Sequence, residues 1–110
     1  MGLKSKMKGK LGELEASKLI KEYGFEARRG QQFQGGTDSP DVVHSIPGIH
    51  IEVKRTETLN IGAALEQADR DRKVHERPVI LHRKNRGHWV VVMFAEDFLS
   101  MMREMKSGKA

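Results

Sequence analysis

The stretch that most limits how this chain folds is GIHIEVKRTE, residues 48–57, in which apolar and charged residues alternate. Successive side chains of a strand point to opposite faces. Ile49, Ile51 and Val53 therefore share one face, and His50, Glu52 and Lys54 share the other. A half-buried strand accounts for the first set. It does not account for an acid and a base one residue apart in a chain of 110 residues, which has room for one core and one domain, 1–110. A chain this small has no second domain to close a cleft, so any active site must lie on one sheet or be completed by a second copy.

Hydrophobic periodicity divides the rest. Gly12, Ala16, Leu19, Ile20 and Tyr23 recur at helical spacing and predict a helix over 11–23, stopped at Gly24. FEARR reads as a strand, and the glycine-rich GQQFQGGTDSP after it as a mobile loop. DVVHS and IHIEVK read as an antiparallel hairpin turning at Pro47 and Gly48. Asn60 caps a helix running to about Val74, with Ile61, Ala64, Leu65 and Ala68 on its inner side. VILHR and HWVVVMF form a second hairpin around Asn85 to Gly87. A last helix carries Phe94, Phe98, Met101, Met102 and Met105 as a core stripe, part of which suits a subunit interface. The order is αβββαββα, an α/β domain with a mixed sheet flanked by helices.

The predicted first hairpin gives the charged face its meaning. A turn at 46 and 47 puts Asp41 opposite Glu52; a turn at 47 and 48 puts it opposite Lys54 and diagonal to Glu52. In both registers two carboxylates and an ammonium lie within roughly 5–8 Å. Two ionised carboxylates that close repel, and a cation between them offsets the repulsion. Hard oxygen donors suit Mg²⁺ or Mn²⁺, which keep several waters while binding phosphate oxygens. A third acid comes from the first helix, where Glu13 sits nearer the apolar stripe than Glu15 does. Taken alone, Glu52 and Lys54 are an ordinary solvated strand face; with Asp41 added, the set reads as a metal site. Five histidines invite zinc, but none are paired at i, i+4 and there is no cysteine, so zinc is set aside and only His50 shares the charged face.

The charge fits the same picture. A formal charge of +5 and pI near 9.7 favour a polyanionic partner, nucleic acid first. Absence of cysteine, of a long apolar run and of a signal peptide predicts a soluble, intracellular protein, and an initial Met-Gly is too little to indicate myristoylation.

GKLGE (residues 9–13), GFEARR, SPDVV and IEVKRTE resemble, in order and spacing, the PD-(D/E)xK nuclease fold of small Holliday-junction resolvases of the archaeal and phage type, over residues 9–68. The resemblance implies a restriction-endonuclease-like sheet and a Mg²⁺- or Mn²⁺-dependent endodeoxyribonuclease that nicks four-way DNA junctions. It implies Asp41, Glu52 and the Val53 carbonyl as metal ligands, with Glu13 completing the site. It implies Lys54 as the residue that orients the attacking water, with Gln67 beside it. The basic arm at 1–10, with Lys4, Lys6, Lys8 and Lys10, together with Arg28, Arg29 and Arg55, would hold DNA phosphates; Gln31, Gln32 and Ser39 of the loop would add contacts. That loop is longer and richer in glycine and glutamine than an archaeal-type resolvase leads one to expect. Two symmetric nicks from one site per chain imply a homodimer, in the cytoplasm, of the host if the protein is phage-encoded. The alternatives are a flap- or end-cutting nuclease of the same fold and a non-catalytic DNA-binding module.

Overall fold

The computed structural model describes residues 2–30 and 40–108, with side chains from residue 9 onward. Eight elements follow in the expected order: α1 (Gly2–Glu22), β1 (Ala27–Arg29), β2 (Val42–His44), β3 (Ile49–Arg55), α2 (Ile61–Asp71), β4 (Arg77–Arg83), β5 (Val90–Val92) and α3 (Ala95–Lys106). Of the predicted loop over 30–40, residues 31–39 lie outside the described residues. No described helix is long and apolar enough to cross a membrane.

The strands pair differently from the sequence expectation. β3 runs parallel to β4 over seven pairs, from Ile49 with Arg77 to Arg55 with Arg83. β4 then pairs antiparallel with β5, Ile80 opposite Val92, through the hairpin predicted at Asn85 to Gly87. β2 pairs antiparallel with β1, not with β3. The predicted DVVHS–IHIEVK hairpin is therefore not formed, although the turn at Pro47 and Gly48 is, with Gly48 at φ +76°. The physical reason lies in β4. Its residues from Pro78 to His82 are all buried, and a strand covered on both faces belongs in the middle of a sheet. Placing β4 beside β3 through the α2 crossover achieves that and leaves β2 to the short β1. Pro78 is tolerated because β5 reaches only Ile80 to His82.

The mixed sheet is flanked by helices. Ala16 and Ile20 of α1 pack with Val42, Ile51 and Leu81 on one side, and Ala64, Leu65 and Ala68 of α2 pack with Ile80 on the other. Gly12 is where α1 crosses β3: a Cβ there would lie 2.6 Å from that of Arg55, so only glycine permits the approach. α1 starts nine residues before the predicted helix, at Gly2, because the lysines and methionine ahead of residue 11 are good helix formers. It ends as predicted, at Gly24 with φ +92°. Asn60 caps α2, its side chain accepting from the Ala63 N–H at 3.0 Å, and the helix stops at Asp71, short of Val74. Ile61, placed inside by the pattern, sits in the first turn and is exposed.

α3 departs most from expectation. None of its residues is buried, and Phe98, Leu99, Met102 and Met105 are exposed. Only Phe94, just before the helix, joins the core beneath α2. The face a terminal helix would cover is already occupied by α2, so α3 is held at its edge by polar contacts: Arg77 Nη2 donates to Glu104 Oε2 at 2.6 Å and to Ser100 Oγ at 3.0 Å.

Candidate active site

β3 shows both faces predicted for it. Ile51 and Val53 turn toward α1, while His50 and Glu52 lie beneath the opposite face at 5 % and 6 % exposure. The acid on this strand is therefore a buried one, not part of a solvated face.

Asp41 reaches β3 by a route the hairpin reading did not contain. With β2 paired elsewhere, the outer edge of β3 has no neighbouring strand among the described residues, and Asp41 Oδ2 accepts the Val53 N–H at 2.8 Å. A side chain takes the place of a backbone ladder. The loop ends are drawn together at Gly30, whose N–H donates to the Asp41 carbonyl at 2.9 Å. A Cβ on Gly30 would fall 1.8 Å from the Pro40 carbonyl oxygen, so this glycine fixes where the loop delivers Asp41.

The expected grouping thus arises from a different topology. Burial, followed by the charge of Glu52, pushes the Asp41 carboxyl up to about 7; Glu13 adds to the rise, while the Val53 N–H and Lys54 oppose it. Glu13 projects from α1 and accepts from Arg29 Nε at 2.7 Å. Burial raises its pKa, Arg29 works against the rise, and Glu52 adds to it. Glu15, the alternative acid, points elsewhere, to Arg55 Nε at 3.1 Å and Arg83 Nη1 at 3.2 Å. Lys54 Nζ lies 3.5 Å from Gln67 Oε1 across to α2, which brings these two predicted residues together.

His50 was singled out only for its face, and the structure gives it a partner. His50 Nε2 lies 2.6 Å from Glu52 Oε2, so Nε2 carries the proton and donates it, leaving Glu52 Oε1 outside this bond. Its Nδ1 is 3.9 Å from Glu76 Oε1. Burial works against charge on His50, but the Glu52 hydrogen bond and the charges of Glu52 and Glu76 outweigh it and raise the pKa. Glu76, in the turn before β4, gave no local signal because it is 24 residues from Glu52 in sequence.

The residues read as DNA contacts divide. Arg28 and Lys10 are exposed and form no ion pair among the described residues. Arg29 is engaged by Glu13, and Arg55 by Glu15 and by Asn85 Oδ1 at 2.9 Å, so both are tied within the free protein. Lys4, Lys6 and Lys8 lie on α1, with side chains outside the described set, as are Gln31, Gln32 and Ser39. Among the described residues no group of three or more His, Cys, Asp and Glu side chains is arranged to hold a metal ion by itself.

Set against known proteins, the chain matches no family model, no curated protein and no solved structure.

Proposed function

We propose that this protein is a metal-dependent, structure-selective endodeoxyribonuclease of the PD-(D/E)xK superfamily, with a restriction-endonuclease-like sheet, and that it acts as a Holliday-junction resolvase. The observation that carries the reading is the Asp41 carboxylate bonded to the Val53 N–H beside Glu52 and Lys54, with Glu13 facing them from α1.

The donor set fits Mg²⁺ or Mn²⁺. Three acids, Glu13, Asp41 and Glu52, face the cations Lys54 and Arg29, and burial, followed by the charge of Glu52, raises the proton affinity of Asp41. A hard divalent ion that keeps several waters needs only a few protein oxygens. Asp41, Glu52 and the Val53 carbonyl would supply them, and when bound the ion would acidify a water and stabilise charge on the phosphodiester. Lys54 would hold that water in line with the leaving oxygen, steadied by Gln67. Glu13 would accept the hydrogen bond of a second water, and Arg29 would keep that carboxylate ionised. One site per chain makes one nick, so paired nicks call for a second copy related by a two-fold axis.

The test uses labelled four-way junction, flap and linear duplex, each with Mg²⁺ and with EDTA. Paired symmetric nicks in the junction alone, only with Mg²⁺, are expected. Preferential flap cutting would move the assignment to a sister nuclease, and binding without cutting in any metal would leave a non-catalytic module. Asp41→Asn should lower cleavage by at least about a thousandfold, because the charge that holds the ion is lost. Junction affinity in EDTA should change less than about threefold. Unchanged turnover would remove Asp41 from the site.

A further inference from the structure

We propose that the tip of the β4–β5 hairpin, Lys84 to Gly87, is a prebuilt finger that grips the phosphate backbone of a duplex DNA arm leading away from the site. The proposal rests on the nuclease reading and adds to it a contact surface on an element separate from the catalytic cluster.

The backbone at the tip gives the first reason. The Gly87 N–H donates to the Lys84 carbonyl at 3.0 Å, closing a four-residue turn. Arg86 occupies its third position at φ +61°, the only described residue other than glycine with positive φ. Glycine or asparagine ordinarily fills such a position, since a long side chain gains nothing for the fold there. An arginine in that place, with its side chain exposed, points to a use outside the fold.

The second reason is how firmly the turn is held. Asn85 accepts from Arg55 Nη1 at 2.9 Å, and its own N–H donates to Glu57 Oε2 at 2.6 Å. Arg83 Nε donates to the Gly87 carbonyl at 2.8 Å, and its Nη1 to Glu15 at 3.2 Å. Residues from α1, from the end of β3 and from the stretch after it thus brace a surface turn on both flanks. The acids nearby, Glu15 and Glu57, are used on the bracing. Lys84 and Arg86 are exposed and form no ion pair among the described residues. Charge serving only solubility needs no such brace; charge that must meet a fixed phosphate gains from one, because less freedom is lost on binding.

Position gives the third reason. Glu52 pairs with Ile80, and Lys84 and Arg86 follow Ile80 by four and six residues, beyond the C-terminal end of β3. At about 3.3 Å per residue Lys84, where the turn begins, lies roughly 13 Å along β4 from the level of Glu52, or about four base pairs along a duplex. An arm cut at the cluster passes the finger within half a helical turn.

The test measures binding of a fluorescent four-way junction in EDTA over a series of KCl concentrations, with melting temperature in parallel. For Lys84→Gln combined with Arg86→Gln, affinity at 0.1 M KCl is expected to fall roughly tenfold or more. The slope of log K against log salt should flatten by about one to two, near 0.9 for each phosphate contact removed. Arg86→Gly relaxes the backbone without disturbing the turn, so its slope should flatten by about one while its melting temperature holds or rises. Unchanged slopes in variants of a wild type that does bind would overturn the finger and leave the nuclease reading standing. A wild-type protein that binds no DNA, and cuts none with Mg²⁺, would overturn both.

Discussion

Asp41 and Val53 meet through a single hydrogen bond, and much of the chemistry at the residue scale follows from it. The bond favours the ionised carboxylate, but burial, followed by the charge of Glu52 on the same strand, outweighs it, so the fold favours the protonated acid. With a folded pKa near 7 and an ordinary value of 3.8, the native state binds the extra proton between those two values. Stability from this group is therefore complete below about pH 4 and is lost as pH rises toward 7. The melting temperature of the metal-free protein should fall across that window, and the fall should be shallower in Asp41→Asn; matching slopes would argue against a strained Asp41. Mg²⁺ at pH 7.5 should raise the wild-type melting temperature more than that of the variant. His50 offers a second residue-scale test, since its bond to Glu52 selects which carboxylate oxygen stays available. His50→Leu should raise the Mn²⁺ concentration for half-maximal cleavage by about tenfold, and His50→Gln, which keeps a donor near the same place, should recover part of it. Equal metal demand in the Leu variant and wild type would reduce His50 to packing.

Single elements were legible where their signal was local and illegible where it was not. The two-faced β3, the Asn60 cap, the stop at Gly24 and the hairpin at Asn85 to Gly87 are each written within a few residues, and each is present. Pairing of β2 is set by competition among distant strands, and β4, buried from Pro78 to His82, decides it; VILHR carries that information as a buried central strand, but adjacency along the chain favours the wrong hairpin. The predicted register that puts Asp41 near Glu52 does not exist; Asp41 arrives there because Gly30 fixes the loop end and its side chain accepts the Val53 N–H. The α3 stripe misled for a related reason: helical periodicity shows that a face is apolar, not what covers it. The proposed two-fold dimer would cover it with a second copy. Leu99→Asp with Met105→Asp should convert a dimer to monomer by sedimentation or light scattering, with the melting temperature of dilute protein nearly unchanged because no α3 residue is buried. A monomeric wild type, or a dimer untouched by both substitutions, would place the interface elsewhere or remove it.

Across the whole molecule, the parallel β3–β4 pair acts as a plank that carries the acidic cluster at its outer edge and the basic tip beyond its end. The net charge of +5 is unevenly spread: Glu13, Asp41 and Glu52 come together, while the exposed Arg28, Lys84 and Arg86 form no ion pair among the described residues. Glu15 ties this arrangement together. From α1 it accepts from both Arg55 of β3 and Arg83 of β4, locking the helix that bears Glu13 to the two strands and holding the base of the hairpin tip. Its carboxylate is about two-fifths exposed, at 38 %, so each ion pair alone is worth little, and the shared network about 1 kcal/mol. Glu15→Gln should therefore lower the melting temperature by only about 4–8 °C. Its functional effect should be of another kind. Freeing Arg55 and Arg83 adds positive surface, so affinity for linear duplex should rise, while discrimination between junction and duplex should fall as the tip loses its brace. Stability loss with unchanged discrimination would mean that Glu15 serves the fold alone, and that the alignment of cluster and tip is set by the strands without it.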